Sequence, residues 1–440
     1  MSARQALDRT LLLMRDYLVP GVPDRRLLDA LRNTRVVLRS DRANLQSASA
    51  QTALITTALL TARSGAQVFL DVPDVPIKGA QPPLASGQLL RAMLAIGDDL
   101  VPGFEWVEGL PTDPPDLTIL IGDTTPRHEK LPHFALSGRN WTGGIAEFGS
   151  RWNNCSAPVG AEVASGLAAG EVFKISMRRL VSESTAPTIF SDLFVPVSEA
   201  TLTLAPEGIA LPDALGEFDC VSGGAIIQSA LYNLARFNLA GVARVIEPTT
   251  SELSNINRYP LLLRSRVGAM KATDLSEMRL GPLSVSPILA RYDSEFELLH
   301  GPLKRHVLVG VDHIPTRWIV QEATPAWLGI GATSHYSAMA SYHTPTLPCA
   351  RCLHPTDDDA DGPIPTAAFV SHWAGLYLAA LFVLERAAQA PPPNRQSVYL
   401  TMLRPDSRGA VFYSPVAPRS WCARCSHLIS QKPRAGGIGR

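Results

Sequence analysis

The residues of this chain best equipped for chemistry lie in a polar run, Ser251-Glu252-Leu253-Ser254-Asn255-Ile256-Asn257-Arg258, and in Lys271, thirteen positions beyond it. Side-chain amides, a planar guanidinium fork and an ammonium point charge are what a triphosphate needs, because its oxygens take charge-assisted hydrogen bonds. By composition alone the run also reads as a solvated loop. Upstream, Phe218 to Val221 reads as a short buried strand and Gly223-Gly224 as a turn. A helix of about fifteen residues then runs to a stop at Gly241, and the next strand ends in an acid, Glu247. This is the outline of a nucleotide-binding βαβ start, in which glycines admit a phosphate to the backbone and the helix N-terminus offers N–H donors. A glycine pair alone serves a plain turn equally well. Further on, the apolar Val307 to Val311 also ends in an acid, Asp312.

Four of the six cysteines form two Cys-x-x-Cys pairs, Cys349/Cys352 and Cys422/Cys425. In a chain without a secretion signal such pairs favour zinc over disulfides, with redox-active or free thiols as the alternative. Cys352 and Cys422 are separated by 69 residues, so the site ties together distant segments of one domain. With all four ligand positions filled by protein, it is structural. Cys220, at the end of the first strand, reads as a small buried core residue, and Cys155 as structural too.

The elements that must position these groups occur twice. Arg35 to Leu38, a polar stretch, a helix through Arg63, Gly65, and Gln67 to Asp71 repeat the order strand, turn, helix, glycine, strand, acid. No glycine lies between Asn33 and Arg63, so this first copy lacks a phosphate-admitting turn. Leu117 to Gly122 with Asp123 matches Val307 to Val311 with Asp312; the segment at Trp141 matches that at Trp327; that at Pro158 matches that at Pro365, each of the last opening an Ala-rich helix. The offsets are 189, 186 and 207 residues, so order is kept while an insertion accumulates around the first Cys pair. Two α/β units in tandem follow, expected at 1–200 and 201–430, with a disordered tail at 431–440. Residues 175 to 216 read as strand-like with prolines, and the aspartates between His354 and Pro365 as an exposed acidic loop.

With 40 basic and 40 acidic residues among 440, nothing in the bulk charge steers the chain towards nucleic acid or anionic lipid. The first apolar run is too short for a signal-peptide core, and Phe369 to Leu384, interrupted by Ser371 and His372, falls short of the ~20 residues that span a bilayer. A cytoplasmic protein with no membrane segment is expected, with Phe369 to Leu384 as a buried helix.

Taken together, the glycine turn, Glu247, the Ser254-Asn255-Ile256-Asn257-Arg258 run, Lys271, Asp312 and the Cys pairs resemble the E1-like (ThiF/MoeB/ubiquitin-activating) adenylyltransferases. The first unit resembles the inactive adenylation half of two-part E1 enzymes. The resemblance implies two Rossmann-like units, the second active and carrying Zn²⁺ on four cysteines. It implies ATP and Mg²⁺, with Gly223 and Gly224 under the phosphates, Glu247 at the ribose hydroxyls, Ser254 beside them, Asn255 and Arg258 on the phosphates, Lys271 on the reacting phosphate and Asp312 on Mg²⁺. Arg9 or Arg15 would supply the arginine that the partner half donates in this family. The implied substrate is the C-terminal glycine carboxylate of a ubiquitin-like or sulfur-carrier β-grasp protein. The implied partner is an E2-like conjugating enzyme, in a monomer or homodimer, within a bacterial antiphage conjugation system. A weak E1-like scaffold, and sulfur-carrier activation of the MoeB/ThiF type, are the alternatives. The chain departs from the pattern at Val221 and Ile226 in place of glycines, Glu247 in place of Asp, Tyr259 in place of Gln, and in having no cysteine beyond Asp312 outside the zinc pairs.

Overall fold

The computed structural model describes residues 2–155, 157–357, 362–407 and 410–429. The tail expected at 431–440 and part of the acidic loop lie outside the described residues. Two mixed sheets account for the chain. In the first, β1 (Arg35–Arg39), β2 (Gln67–Asp71), β3 (Trp106–Glu108), β4 (Leu117–Ile121), β5 (His133–Arg139), β6 (Thr142–Ala146) and β7 (Ala200–Thr203) take the order β3-β2-β1-β4-β5-β6-β7. In the second, β8 (Ala214–Val221), β9 (Ala240–Ile246), β10 (Leu283–Ile288), β11 (His306–Val309), β12 (Trp327–Ser334), β13 (Ser337–His343), β14 (Ser397–Thr401) and β15 (Val411–Ser414) take the order β10-β9-β8-β11-β12-β13-β14-β15. The first five strands in each order are parallel and the rest antiparallel, so the second sheet repeats the first with one strand added. The order strand, turn, helix, strand, acid therefore holds in both units.

The central strand β4 is buried along its whole length and mostly apolar, because helices cover both sides. The two long helices Val159–Arg178 and Ala368–Arg386 are buried almost all round, which is why they are rich in Ala and Gly. A Cβ at Gly166 of the first would lie 2.8 Å from the Trp373 ring of the second, so small residues let the two units approach closely. One hydrophobic core runs from Ala3 to Met402 through both units. Phe369 to Leu384 is the buried helix the sequence anticipates.

Two local expectations change. Residues 175 to 216 are not mainly strand: Pro187 starts a helix, Pro187–Leu193, whose Phe190 buries against Phe194, and the strands are Ala200–Thr203 and the start of β8 at Ala214. Gly241 is no helix stop. The helix Ala225–Arg236 ends earlier, with Asn238 in the left-handed region, and Gly241 sits inside β9 where a Cβ would lie 2.9 Å from Leu215 Cβ.

Candidate active site

Strand order reverses between β8 and β11, where connections leave the sheet in opposite directions and a crevice opens at the carboxyl ends. A cavity of about 600 Å³ lies there, lined by Gly224, Glu247, Arg258, Lys271 and Asp312 from the second unit and by Arg9 from the first. The turn into it is strained. Ser222 has φ 103, and Gly224 caps the helix Ala225–Arg236 while its N–H donates to Ser222 Oγ at 2.9 Å. Glu247 stitches this turn to its own strand. Its Oε2 accepts from Gly223 N–H at 2.8 Å, and its Oε1 accepts from the N–H and hydroxyl of Thr249 at 3.0 and 2.6 Å. Lys271 Nζ donates to Thr249 Oγ1 at 2.8 Å, completing a relay from ammonium to backbone. A side chain at 223 would be crowded, since a Cβ there would sit 3.0 Å from Glu247 Cγ and 3.1 Å from Lys271 Cβ.

The polar run is an anchored turn. Leu253–Asn255 forms one 3-10 turn in which Glu252 and Asn255 cap each other, with Asn255 Oδ1 accepting from Glu252 N–H at 2.9 Å. Ser254 Oγ donates to Glu252 at 3.2 Å. Ser254 and Asn255 thus build the turn that delivers Arg258, whose Nη1 donates to Ser254 O and Asn257 Oδ1 at 2.6 and 2.8 Å. Tyr259 stands between two cations, its ring centroid 5.5 Å from the Arg258 guanidinium and 5.8 Å from Lys271 Nζ. Burial lowers the Arg258 pKa.

Arg9 arrives from the helix Asp8–Arg15, whose Asp8 carboxyl is raised by burial against the pull of Arg9 and Arg258. Arg9 Nε is buried without a hydrogen-bond partner, the Asp8 carboxylate standing 3.6 Å away. Arg15 instead pairs with Asp24. Of the two arginines singled out in the sequence, Arg9 alone lines the cavity.

Asp312 is exposed at the rim, its Oδ1 accepting from His313 N–H at 3.0 Å. Arg317, one turn into the helix Ile314–Glu322, grips the preceding Val311 carbonyl through Nε and Nη2 at 3.1 and 2.7 Å. Sequence reasoning missed Arg317, Thr249, Arg291 and Asp293, all four of which line the cavity. An Arg five residues beyond Asp312, on a helix with Pro315 in its first turn, was the available signal for Arg317; Arg291 and Asp293 stand in a loop without any.

The sulfurs of Cys349, Cys352, Cys422 and Cys425 lie within 4.8 Å of one another and all four residues are buried. Cys349 Sγ is 3.9 Å from Cys352 Sγ and 3.6 Å from Cys422 Sγ, close to the ~3.8 Å edge of a tetrahedron with ~2.3 Å Zn–S bonds. The donor set fits zinc.

In the first unit the corresponding groups bind one another. Asp71 holds Arg39 and, at 2.8 Å, Arg127 Nη2. Asn44, wholly buried, presses against Gly122 and donates to Asp123 Oδ1 at 2.8 Å. Cys155 is half-buried there, 3.4 Å from Ser49 Oγ, and lines a separate cavity with Arg139 and Arg151. Cys220 is fully buried in β8, where burial pushes its thiol well up.

Residues 35–188 match the family described as the BilD N-terminal domain. An uncharacterized protein, y4jF, of Sinorhizobium fredii is 30% identical over 189 residues, which are 42% of this chain and 36% of that protein. The chain thus spans about a third of the length of that curated relative. The crystal structure of E. coli MccB with MccA is similar at a TM-score of 0.41 and 13% identity, over 66% of this chain and 97% of that one. PaaA is similar at a TM-score of 0.36 and 14% identity, over 53% and 78%.

Proposed function

We propose that this chain adenylates a carboxylate with ATP. The observation that carries the reading is the convergence of Arg9, Arg258 and Lys271 with Asp312 on one cavity, at the switch point and beside a helix N-terminus. In the reaction a carboxylate oxygen attacks the α-phosphorus, the bond to the bridging oxygen breaks, and pyrophosphate leaves with that electron pair. Negative charge grows on oxygens at which three cations are already aimed in a half-enclosed site, and that preorganisation lowers the barrier. No general base is needed, since the attacking carboxylate is already ionised.

Asp312 and Asp293 offer the oxygen donors Mg²⁺ takes, and the ion would neutralise phosphate charge there. Glu247 has a free lone pair at Oε2 for a ribose hydroxyl. Gly223, Gly224 and the Ser254-Asn255 turn set the cradle. The first unit holds no second nucleotide, because its own side chains fill the equivalent ground.

The substrate on this reading is the C-terminal glycine of a ubiquitin-like β-grasp protein, activated in the cytoplasm and passed directly to an E2-like partner. Cys220 is sealed in the core and Cys155 faces another cavity, which supports hand-off without a thioester on this chain. The test is ATP–pyrophosphate exchange with a glycine-ended β-grasp protein encoded beside this chain. Exchange is expected, and Lys271→Ala and Asp312→Ala should each abolish it. Carrier binding with no exchange would overturn the enzyme reading in favour of a scaffold, and a reducible adduct lost on Cys155→Ala would overturn direct hand-off.

A further inference from the structure

Arg63 ends the helix Ala48–Arg63 in the first unit and is wholly buried. Among the described residues no carboxylate lies within ion-pair reach of it. Its hydrogen bonds all cross into the second unit: Nη1 donates to Ile256 O at 2.5 Å, and Nη2 donates to Leu262 O at 2.6 Å and Pro260 O at 3.3 Å. These carbonyls flank Arg258 and Tyr259 on both sides. A buried charge that Asp99 attracts without forming an ion pair is costly, and an apolar side chain usually serves stability as well or better. What an apolar side chain lacks is a planar fork with two terminal nitrogens able to gather carbonyls from both ends of a turn.

The first unit holds this segment elsewhere too. Asn257 Nδ2 donates to Thr10 Oγ1 at 3.0 Å, Arg264 N–H to Asp99 O at 2.8 Å, and Ser265 N–H to Asp99 Oδ1 at 2.8 Å. The Asp99 contacts lie at the far edge of the loop and Thr10 holds Asn257 beside Arg258, while Arg63 gathers carbonyls from both sides of Arg258 and Tyr259.

We propose that Arg63 is a positioning residue for phosphate binding, by which the first unit sets the place of Arg258 and Tyr259 in the second. The proposal rests on the adenylation reading for its kinetic consequence, while its structural consequence stands apart. Lysine keeps the charge but has one nitrogen and cannot span the turn, so Arg63→Lys should fall between the parent and Arg63→Met.

The kinetic test is a double-mutant cycle in pyrophosphate exchange. Arg63→Met should lower kcat/KM for ATP by roughly ten- to a hundredfold, the range of coupling between residues of one network, yet change it less than about twofold in an Arg258→Ala background. A full effect retained without Arg258 would show a merely structural role and overturn the proposal. Hydrogen exchange supplies the second arm. In Arg63→Lys, and in Arg63→Met if it folds, amides 256–263 should exchange faster while the helix Ala225–Arg236 is unchanged. Unchanged loop exchange overturns the clasp whether or not the parent uses ATP; a parent with no exchange activity but a loosened loop in the variants sinks the adenylation reading alone.

Discussion

Ile226 opens the helix behind the glycine turn, where a branched side chain would narrow the approach of a phosphate. Ile226 lines the cavity, but part of its bulk is taken up by two glycines: a Cβ at Gly331 would meet Ile226 Cγ2 at 2.6 Å, and one at Gly310 would meet Ile226 Cβ at 3.2 Å. Gly331→Ala should therefore cost about 1–3 kcal/mol by overpacking, and should cost less in an Ile226→Ala background, which lacks that Cγ2, both read from urea unfolding midpoints. Glu247 makes a second case. Its longer arm lets it reach Gly223 N–H, so Glu247→Ala leaves that buried donor unpaired and should cost about 1–3 kcal/mol by the same measurement, even before any effect on nucleotide. Some of the cavity's charged residues were legible, because Arg258, Lys271 and Asp312 stand at element ends in a recognisable order, whereas Arg291, Asp293 and Arg317 were not. Arg63 was not, because its partners are backbone carbonyls nearly two hundred residues away, and carbonyls have no letter in a sequence.

The zinc-type cluster does its work on an element. Ala350 N–H donates to Gln321 Oε1 at 3.1 Å and Arg424 Nη1 donates to Gln321 O at 3.2 Å, so both Cys pairs brace the helix Ile314–Glu322. His354, just past Cys352, stands 3.1 Å from Arg317, which grips the Val311 carbonyl before Asp312. Cys349→Ser should lower bound zinc, measured by metal analysis, and speed hydrogen exchange in residues 311–322, while leaving the helix Ala48–Arg63 unaffected. The metal motif was readable from spacing. That its cargo is the Asp312 loop was not, because the link runs through side chain to backbone contacts in an insertion absent from the first unit.

Across the molecule the units meet through buried polar contacts as well as apolar ones. Glu162 Oε1 lies 2.7 Å from Arg236 Nε, and Thr56 and Tyr232 share a hydrogen bond of 2.7 Å. Burial pushes the Glu162 carboxyl up to about 7, against the pull of Arg236. Its raised value means a contribution fully present below its ordinary 4.5 and lost as pH rises through about 7. Relative to Glu162→Gln, the parent should therefore lose on the order of 2 kcal/mol between those pH values in chemical denaturation, and a flat difference would contradict the buried carboxyl. His372 works the other way, pushed down to about 4 by burial, so its contribution is lost as pH falls from 6.5 through 4. The repeat was legible in loose matches because paired sheets of one order conserve the sequence of punctuation. The shared core was not legible, since an Ala-rich helix packed against its own sheet and one packed against a sister unit look alike in sequence.

In the first unit Asp71 is spent on Arg39 and Arg127 and Asp123 on Asn44, and on the adenylation reading this predicts a stoichiometry. A calorimetric titration of the parent with ATP should saturate at one nucleotide per chain, although two sheets of the same order are present. Because the core is continuous, that single occupancy should raise one cooperative melting transition as a whole, so the half that binds nothing is stabilised equally with the half that binds.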